Sequence, residues 1–290
     1  MNKKVLALGF FDSIHIGHRY LLNEAQKEAE KRQDNVLVAT FDDNFLSALG
    51  RNDEEIFLLN ERQRILFSLG FNETLVLPSN EEFLSVSKKE FLDFLFEKNP
   101  SAIVVGKDYR FGKKAEGDVL YLGEYCKEKG ISVIVVDLLD YGGEKVSSST
   151  IRKLLKEGNV GVASEMLGGR FFYSGIVKSG RKQGRSIGFP TVNVDIPKNK
   201  ICLKSGVYAT KTVVSDKEYD SVTNVGVHPT FNDEYFNVET YVIDEKIDLY
   251  DKNVRIEFYE FLRDIVKFED KFQLAKQIEK DVERAKEVLL

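Results

Sequence analysis

The sequence predicts an α/β chain: a Rossmann-like parallel-sheet domain, then a small antiparallel β-barrel closed by a terminal helix. Three observations carry this. Apolar strand-like runs alternate with helical patterns as far as Val136, the order of a parallel sheet wound with helices. From about Gly168 the chain turns to short strands separated by turn residues. The last segment keeps a single helical stripe to its end.

In the first domain, Val5–Phe11 reads as a buried strand and leads into a helix from about Gly17, with Leu21, Leu22, Ala25 and Ala29 on one face. Asn35–Phe41, Ala102–Gly106 and Ile131–Val136 repeat the strand signal, and Arg62–Leu69, Lys88–Phe96 and Asp118–Lys129 fill the gaps as helices. A last helix, Thr150–Glu157, follows a serine run and leads into Ala163–Leu167. In the second domain the strands are Phe172–Lys178, Val207–Val213, Tyr219–Gly226, Val238–Ile243 and Val254–Phe261. Val254, Ile256 and Phe258 alternate with Arg255, Glu257 and Tyr259, the period of a half-buried strand. The closing helix has the stripe Phe272, Ala275, Ile278, Val282, Ala285 and Leu289. The change of pattern places the boundary at Leu167–Gly168, giving domains 1–167 and 168–290.

Bulk composition narrows the classes. Hydrophobic residues make up 42% and charged residues 31% of 290, the balance of a globular chain. A net charge of −5 gives no field that favours nucleic acid or an anionic membrane, so neither is expected as a partner. The two cysteines, Cys126 and Cys202, fit no metal or disulfide spacing and read as reduced thiols, the usage of a cytoplasmic protein. The N-terminal apolar run meets Asp12, His15 and His18 too soon for a signal peptide, and no stretch is long enough for a membrane span.

Chemistry concentrates in three places of the first half. Two of only three histidines, His15 and His18, stand three apart where a strand hands over to a helix. Residues so spaced on a first helical turn share a face, and the helix start offers free N–H groups to an anion. Two imidazoles there can stabilise charge developing on a polyphosphate. A pair of surface histidines, or half of a metal site, is the competing reading, although no carboxylate or cysteine stands at ligand spacing. Val105–Gly112 reads VGKDYRFG, a strand-end segment in which Asp108 and Arg110 can face a ligand or merely form a turn. Val146–Arg152 reads VSSSTIR, where Ser148, Ser149 and Thr150 suit helix N-cap positions and Arg152 adds a phosphate-pairing charge.

These three motifs, in this order, resemble the HIGH-type nucleotidyltransferases. More narrowly they are similar to the FMN adenylyltransferase half of bacterial riboflavin kinase/FAD synthetases. The second half carries the matching partner. Gly188–Asn193 reads GFPTVN, similar to the GFPTxN motif of riboflavin kinases, and Gly206–Ala209, Asn224–Phe231 and Asp248–Tyr250 extend the likeness over nearly the whole chain. By their own chemistry, Thr191 and Asn193 are hard-oxygen donors of the kind a Mg²⁺–ATP complex favours. Glu239 sits on a strand face shared with Tyr241 and Ile243, where a carboxylate is costly unless paired or functional.

The resemblance implies phosphorylation of riboflavin to FMN and adenylylation of FMN to FAD, with ATP, riboflavin and FMN as substrates and Mg²⁺ as the metal. It implies His15 and His18 in adenylyl transfer and Glu239 as base on the riboflavin hydroxyl. ATP and phosphate contacts would come from Gly9, Phe11, Asp108, Arg110, Ser148, Ser149, Thr150 and Arg152, and in the second domain from Gly184, Arg185, Gly188 and Pro190. Thr191 and Asn193 would hold the metal, and Arg263 would contact the flavin. Some positions depart from the family pattern: Ser13, His228, Ile265, Val266, and Phe41-Asp42-Asp43-Asn44-Phe45 in place of an aromatic–x–Pro–His–Pro segment. Asp42 and Asp43 are expected to repel anionic FMN if they line its path. The alternatives are a chain with one active site, or a non-catalytic flavin- or nucleotide-binding regulator.

Overall fold

The computed structural model describes residues 3–178, 188–230, 233–245 and 247–290, with side chains at 227–230 and 233–235 outside that description. It divides into two compact units, Met1–Thr150 and Ile151–Leu290.

Unit 1 runs β1 (Lys4–Leu8), α1 (Ile16–Arg32), β2 (Asn35–Phe41), α2 (Phe45–Ala48), α3 (Leu59–Ser68), β3 (Thr74–Leu77), α4 (Glu81–Leu84), α5 (Lys88–Phe96), β4 (Pro100–Gly106), α6 (Val119–Glu128), β5 (Ser132–Val136) and a hairpin of β6 (Asp140–Tyr141) and β7 (Glu144–Lys145). The first five strands form a parallel sheet of order β3-β2-β1-β4-β5. Both faces are covered. Val5 and Ala7 of β1 pack with Leu21, Leu22 and Ala25 of α1, while Leu6 and Leu8 pack with Leu92, Leu95 and Leu122 on the other side. That explains the unbroken apolar run of β1, because a strand buried on both faces has no polar side to show. The ends are locally encoded too: in α5, Ser87 and Glu90 form a capping box.

Unit 2 takes in all of α7 (Ser148–Glu157) from Ile151 on, then α8 (Val160–Leu167) and the barrel strands. These are β8 (Phe172–Lys178), β9 (Thr191–Asp195), β10 (Gly206–Val214), β11 (Lys217–Thr230), β12 (Asp233–Val242) and β13 (Asn253–Arg263), followed by α9 (Lys271–Leu289). The barrel closes in the order β10-β11-β12-β9-β8-β13, all pairs antiparallel. Its interior holds Tyr173, Tyr208 and Phe258 and a chain of buried hydroxyls, Thr212–Ser221–Thr210–Thr223–Thr240, each bonded to the next. Outside, Ala285 and Leu289 of α9 cover Val207, Ala209 and Val222.

Several elements differ from expectation. The first strand ends at Leu8 rather than Phe11, because the backbone turns sharply, with Phe11 at φ 53° and Ile14 at φ 44°. β3 and β9 escape the sequence pattern. β9 lies among turn residues, yet Thr191-Val192-Asn193-Val194 alternates and pairs with β12 on one side and β8 on the other. Phe272 is 78% exposed, since the first turn of α9 runs ahead of the barrel surface that buries the later stripe. The compact units part at Thr150–Ile151, ahead of the change in strand pattern, because α8 packs on β13.

Two candidate active sites

The first cleft opens in unit 1 where the strand order reverses, at the carboxyl ends of β1 and β4, the place where open α/β sheets bind ligands. Its volume is about 430 Å³, and Gly9, His15, His18, Asp108, Arg110, Lys145 and Ser147 line it. His15 is the N-cap of α1 rather than part of its first turn, and its Nδ1 accepts the His18 amide at 3.0 Å. A neutral His15 ring therefore carries its proton on Nε2. The two rings stack at 3.7 Å and 7°, and Phe11 meets His18 edge-on at 5.1 Å. Burial lowers His15 to about 4, and burial first, then repulsion from a protonated His15, holds His18 well below its ordinary value. Both imidazoles are uncharged at neutral pH, ready as neutral donors.

The cost of this geometry is visible in the backbone. Ile14 is β-branched and sits in the left-handed region, a rare and strained state. Buried Asp12 braces the turn, its Oδ1 accepting from the Ile56 amide at 2.9 Å and its carbonyl from Phe57 at 3.1 Å. Gly9 is required for space, since a Cβ there would lie 2.9 Å from the Phe11 ring. Phe11 is fully buried, does not line the cleft, and meets His18 edge-on.

Other expectations for this site change in detail. Ser147, not the three residues after it, stands at the cap of α7 and accepts the Thr150 amide at 3.2 Å. Ser148 is bonded to Ser13 at 2.9 Å, Thr150 donates to the Lys145 carbonyl, and Ser149 is exposed. Arg152, one turn after Ser148 along α7, is buried. Asp108 pairs with Lys145 at 3.3 Å and Arg110 with Asp118 at 3.6 Å, so both keep partners while facing the cleft. Lys145 joins the site from just ahead of the serine run, where a basic residue is its only sequence signal.

Asp42 and Asp43 do not line the cleft. Asp42 accepts the amides of Asn44 and Ser79, and Asp43 accepts the Leu59 amide at 2.5 Å and pairs with Arg62 at 3.2 Å. Their charge is used inside the fold, so the expected repulsion of FMN is withdrawn. Beside them Glu55, 2% exposed, is pushed up to about 9 by burial against the pull of Arg62. It is protonated when folded but ionised when unfolded above about 4.5, so it lowers stability as pH rises between those values. Glu55→Gln should therefore stabilise the protein, with a gain near zero at pH 5 that grows to several degrees in Tm at pH 8. An equal gain at both pH values in thermal denaturation would refute this.

The second cleft, about 440 Å³, lies in unit 2 between the outer barrel surface and the start of α9. The register puts Asn193 opposite Glu239, Glu239 opposite Asn224, and Thr191 opposite Tyr241. Opposed residues share a sheet face, so a carboxylate, a hydroxyl and two amides meet on one surface. The Thr191 hydroxyl donates to Glu239. Arg263 also lines the cleft but is held by a bidentate pair to Asp281 of α9 at 2.7 and 2.8 Å. Asn224 and Asp281 were not singled out from sequence, because only the register and the helix docking bring them in. Behind Thr191 a further cavity of about 480 Å³ is lined by Pro190, Glu245, Asp248 and Tyr250. Gly188 is exposed at φ 91°. Gly184 and Arg185 lie outside the described residues, as does the side chain of His228.

A Rossmann-like unit with stacked imidazoles at a helix start is joined to a barrel with a carboxylate beside hydroxyl and amide groups, two clefts built for group-transfer chemistry. The comparisons give the particular family. A FAD synthetase model matches residues 1–150 and a riboflavin kinase model residues 167–289. The bifunctional riboflavin kinase/FMN adenylyltransferase of Bacillus subtilis is 35% identical over 98% of this chain and 92% of its own length. That of Listeria monocytogenes is 32% identical over 96% and 90%. The chain belongs to the bifunctional riboflavin kinase/FMN adenylyltransferase family. A Streptococcus pneumoniae crystal structure described as a macrolide-efflux protein superposes with a TM-score of 0.90 at 30% identity, covering 98% of this chain and 94% of that one. Among the described residues here, no helix is long and apolar enough to cross a membrane.

Proposed function

We propose a division of labour between the two clefts for an enzyme that phosphorylates riboflavin to FMN and adenylylates FMN to FAD, with ATP as donor in both steps. The observation that carries it is the pairing of each family model with its own cleft in one chain. The working boundary between the two activities is taken at Leu167–Gly168.

In the kinase cleft, Glu239 takes the proton of the riboflavin 5′-hydroxyl as that oxygen bonds the γ-phosphorus of ATP. The bridging P–O bond breaks and ADP leaves. Thr191 orients the carboxylate through its hydroxyl, and the cavity behind it, with Pro190 at its edge, suits the nucleotide. Thr191 and Asn193 are an oxygen pair that fits Mg²⁺ completed by ATP phosphates; among the described residues no His, Cys, Asp and Glu cluster could hold a metal alone. When bound, that ion neutralises phosphate charge.

In the adenylyltransferase cleft an FMN phosphate oxygen bonds the α-phosphorus of ATP and pyrophosphate leaves. The nucleophile is already an anion, so no strong base is needed. His15 and His18 donate to the phosphates at the α1 start, with Ser147 and the α7 start beyond. Asp108, Arg110 and Lys145 hold nucleotide and phosphate at the opposite rim.

The test is purified protein incubated with riboflavin, ATP and Mg²⁺, with flavins separated chromatographically. FMN should appear first and FAD after it, and chelation of Mg²⁺ should stop both. Riboflavin left unchanged, or FMN that never becomes FAD, would overturn the reading.

A further inference from the structure

The turn between β1 and α1 is held from outside at three consecutive residues. Asp12 accepts the Ile56 amide at 2.9 Å, and the Ile14 carbonyl accepts from the Nε of Arg19 at 3.1 Å. Between them, the Oγ of Ser13 lies 2.9 Å from the Oγ of Ser148, the first residue of α7. The outer two ties brace the left-handed backbone at Phe11 and Ile14, but Ser13 has no positive φ to stabilise. Its hydroxyl instead reaches 135 residues along the chain and joins the start of α7 to the turn that carries His15. Ser13 is one of the positions that depart from the family pattern, so this tie is a property of this chain.

Each hydroxyl carries one proton, and burial decides which of the two is used in this bond. Ser13 is 1% exposed, and among the described residues its hydroxyl has no acceptor besides Ser148. Ser148 is half-buried. Were Ser148 the donor, the proton of Ser13 would be buried without an acceptor, which is costly. With Ser13 as donor that cost vanishes, and the proton left over belongs to the serine that keeps some surface. The same count removes its neighbours on the inner side of the α7 start. Thr150 gives its proton to the Lys145 carbonyl at 3.0 Å, so the 3.0 Å bond between Ser147 and Thr150 uses the proton of Ser147. Ser148 is left with a proton to give.

We infer that Ser13 is a positioning residue for adenylyl transfer: it donates to Ser148 and so directs the Ser148 proton to a phosphate oxygen of ATP held at the α7 start. The inference rests on the assignment of adenylyl transfer to this cleft. A lone serine hydroxyl rotates, and its proton is shared among whatever acceptors surround it. Accepting from a buried donor fixes one side of the Ser148 oxygen and leaves its proton on the other. A hydroxyl that already accepts is also a stronger donor, because hydrogen bonds in a chain polarise one another. The order Ser13 to Ser148 to ligand further selects a group that only accepts, as a phosphate oxygen does.

The experiment measures FAD formation from supplied FMN and ATP by the full-length protein carrying Ser13→Ala, Ser148→Ala or both. Ser13→Ala should lower kcat/KM for ATP by about threefold to tenfold, the worth of one neutral hydrogen bond. KM for FMN should stay at the parent value, which a general loosening of the turn would not allow. In the Ser148→Ala background the same substitution should have no further effect, because a residue that acts through another has nothing left to act on. Ser148→Thr keeps a hydroxyl at this half-buried place and should restore the effect of Ser13→Ala. If Ser148→Ala fails to fold, the split between ATP and FMN in Ser13→Ala decides the matter alone. Parental constants in Ser13→Ala, an equal loss in both backgrounds, or a matching rise in KM for FMN would each overturn the inference. A parent protein that makes no FAD would overturn the assignment of the cleft, a separate outcome.

Discussion

Glu239→Gln should slow riboflavin phosphorylation by about 10²- to 10⁴-fold, the range for loss of a general base. The substitution is informative because it is structurally quiet. A glutamine oxygen still accepts the Thr191 hydroxyl that Glu239 accepts, so the β9–β12 face keeps its geometry while the basic site is lost. KM for riboflavin should change little, since the deleted function matters as the proton leaves the hydroxyl. FAD formation from supplied FMN should be unaffected, because it belongs to the other unit. The check is a pair of assays on one preparation, FMN from riboflavin and FAD from FMN. A variant that phosphorylates riboflavin at near the parent rate would remove Glu239 from the mechanism.

His18→Ala should lower kcat for FAD formation by about 10²- to 10³-fold, the usual effect of deleting a donor aimed at developing charge. KM for ATP should move far less, because the interaction is realised mainly in the transition state. Two further readouts separate chemistry from packing. The stack on His15 at 3.7 Å and the edge contact with Phe11 would both be lost in alanine, so a packing role alone would appear as lost stability. His18→Asn returns an N–H donor without the ring, and it should recover part of kcat while leaving the stack broken. Because burial keeps both imidazoles uncharged in the free protein, acidification to pH 6 should not raise kcat. Full activity in His18→Ala would place the phosphates elsewhere.

Much of the site was readable because its chemistry is local in sequence. His15 and His18 share one strand-to-helix turn, and Thr191 and Asn193 share one strand face. The structure adds most for side chains whose direction is set at long range. Phe11 lies inside the first motif, yet its positive φ swings the ring under Gly9 into the core. Asp42 and Asp43 looked like charges facing a substrate. Their partners, Ser79, Leu59 and Arg62, come from segments 16 or more residues away, which no local pattern reveals. Arg263 does line its cleft, but its bidentate partner Asp281 arrives only when α9 docks on the barrel.

By itself the sequence determined the class of each half, the family, and the order of nearly every long element. It could do so because burial on one or two faces writes a period into the chain, and because phosphate-handling motifs need particular residues at fixed short spacings. Tertiary structure alone decided which of their side chains face a cleft. Sheet order placed the first cleft at the β1–β4 reversal, barrel closure set Glu239 beside Thr191 and Asn193, and burial stripped the charge from two histidines. Direction, pairing and protonation state depend on neighbours brought together from distant segments, and a one-dimensional pattern carries no record of them.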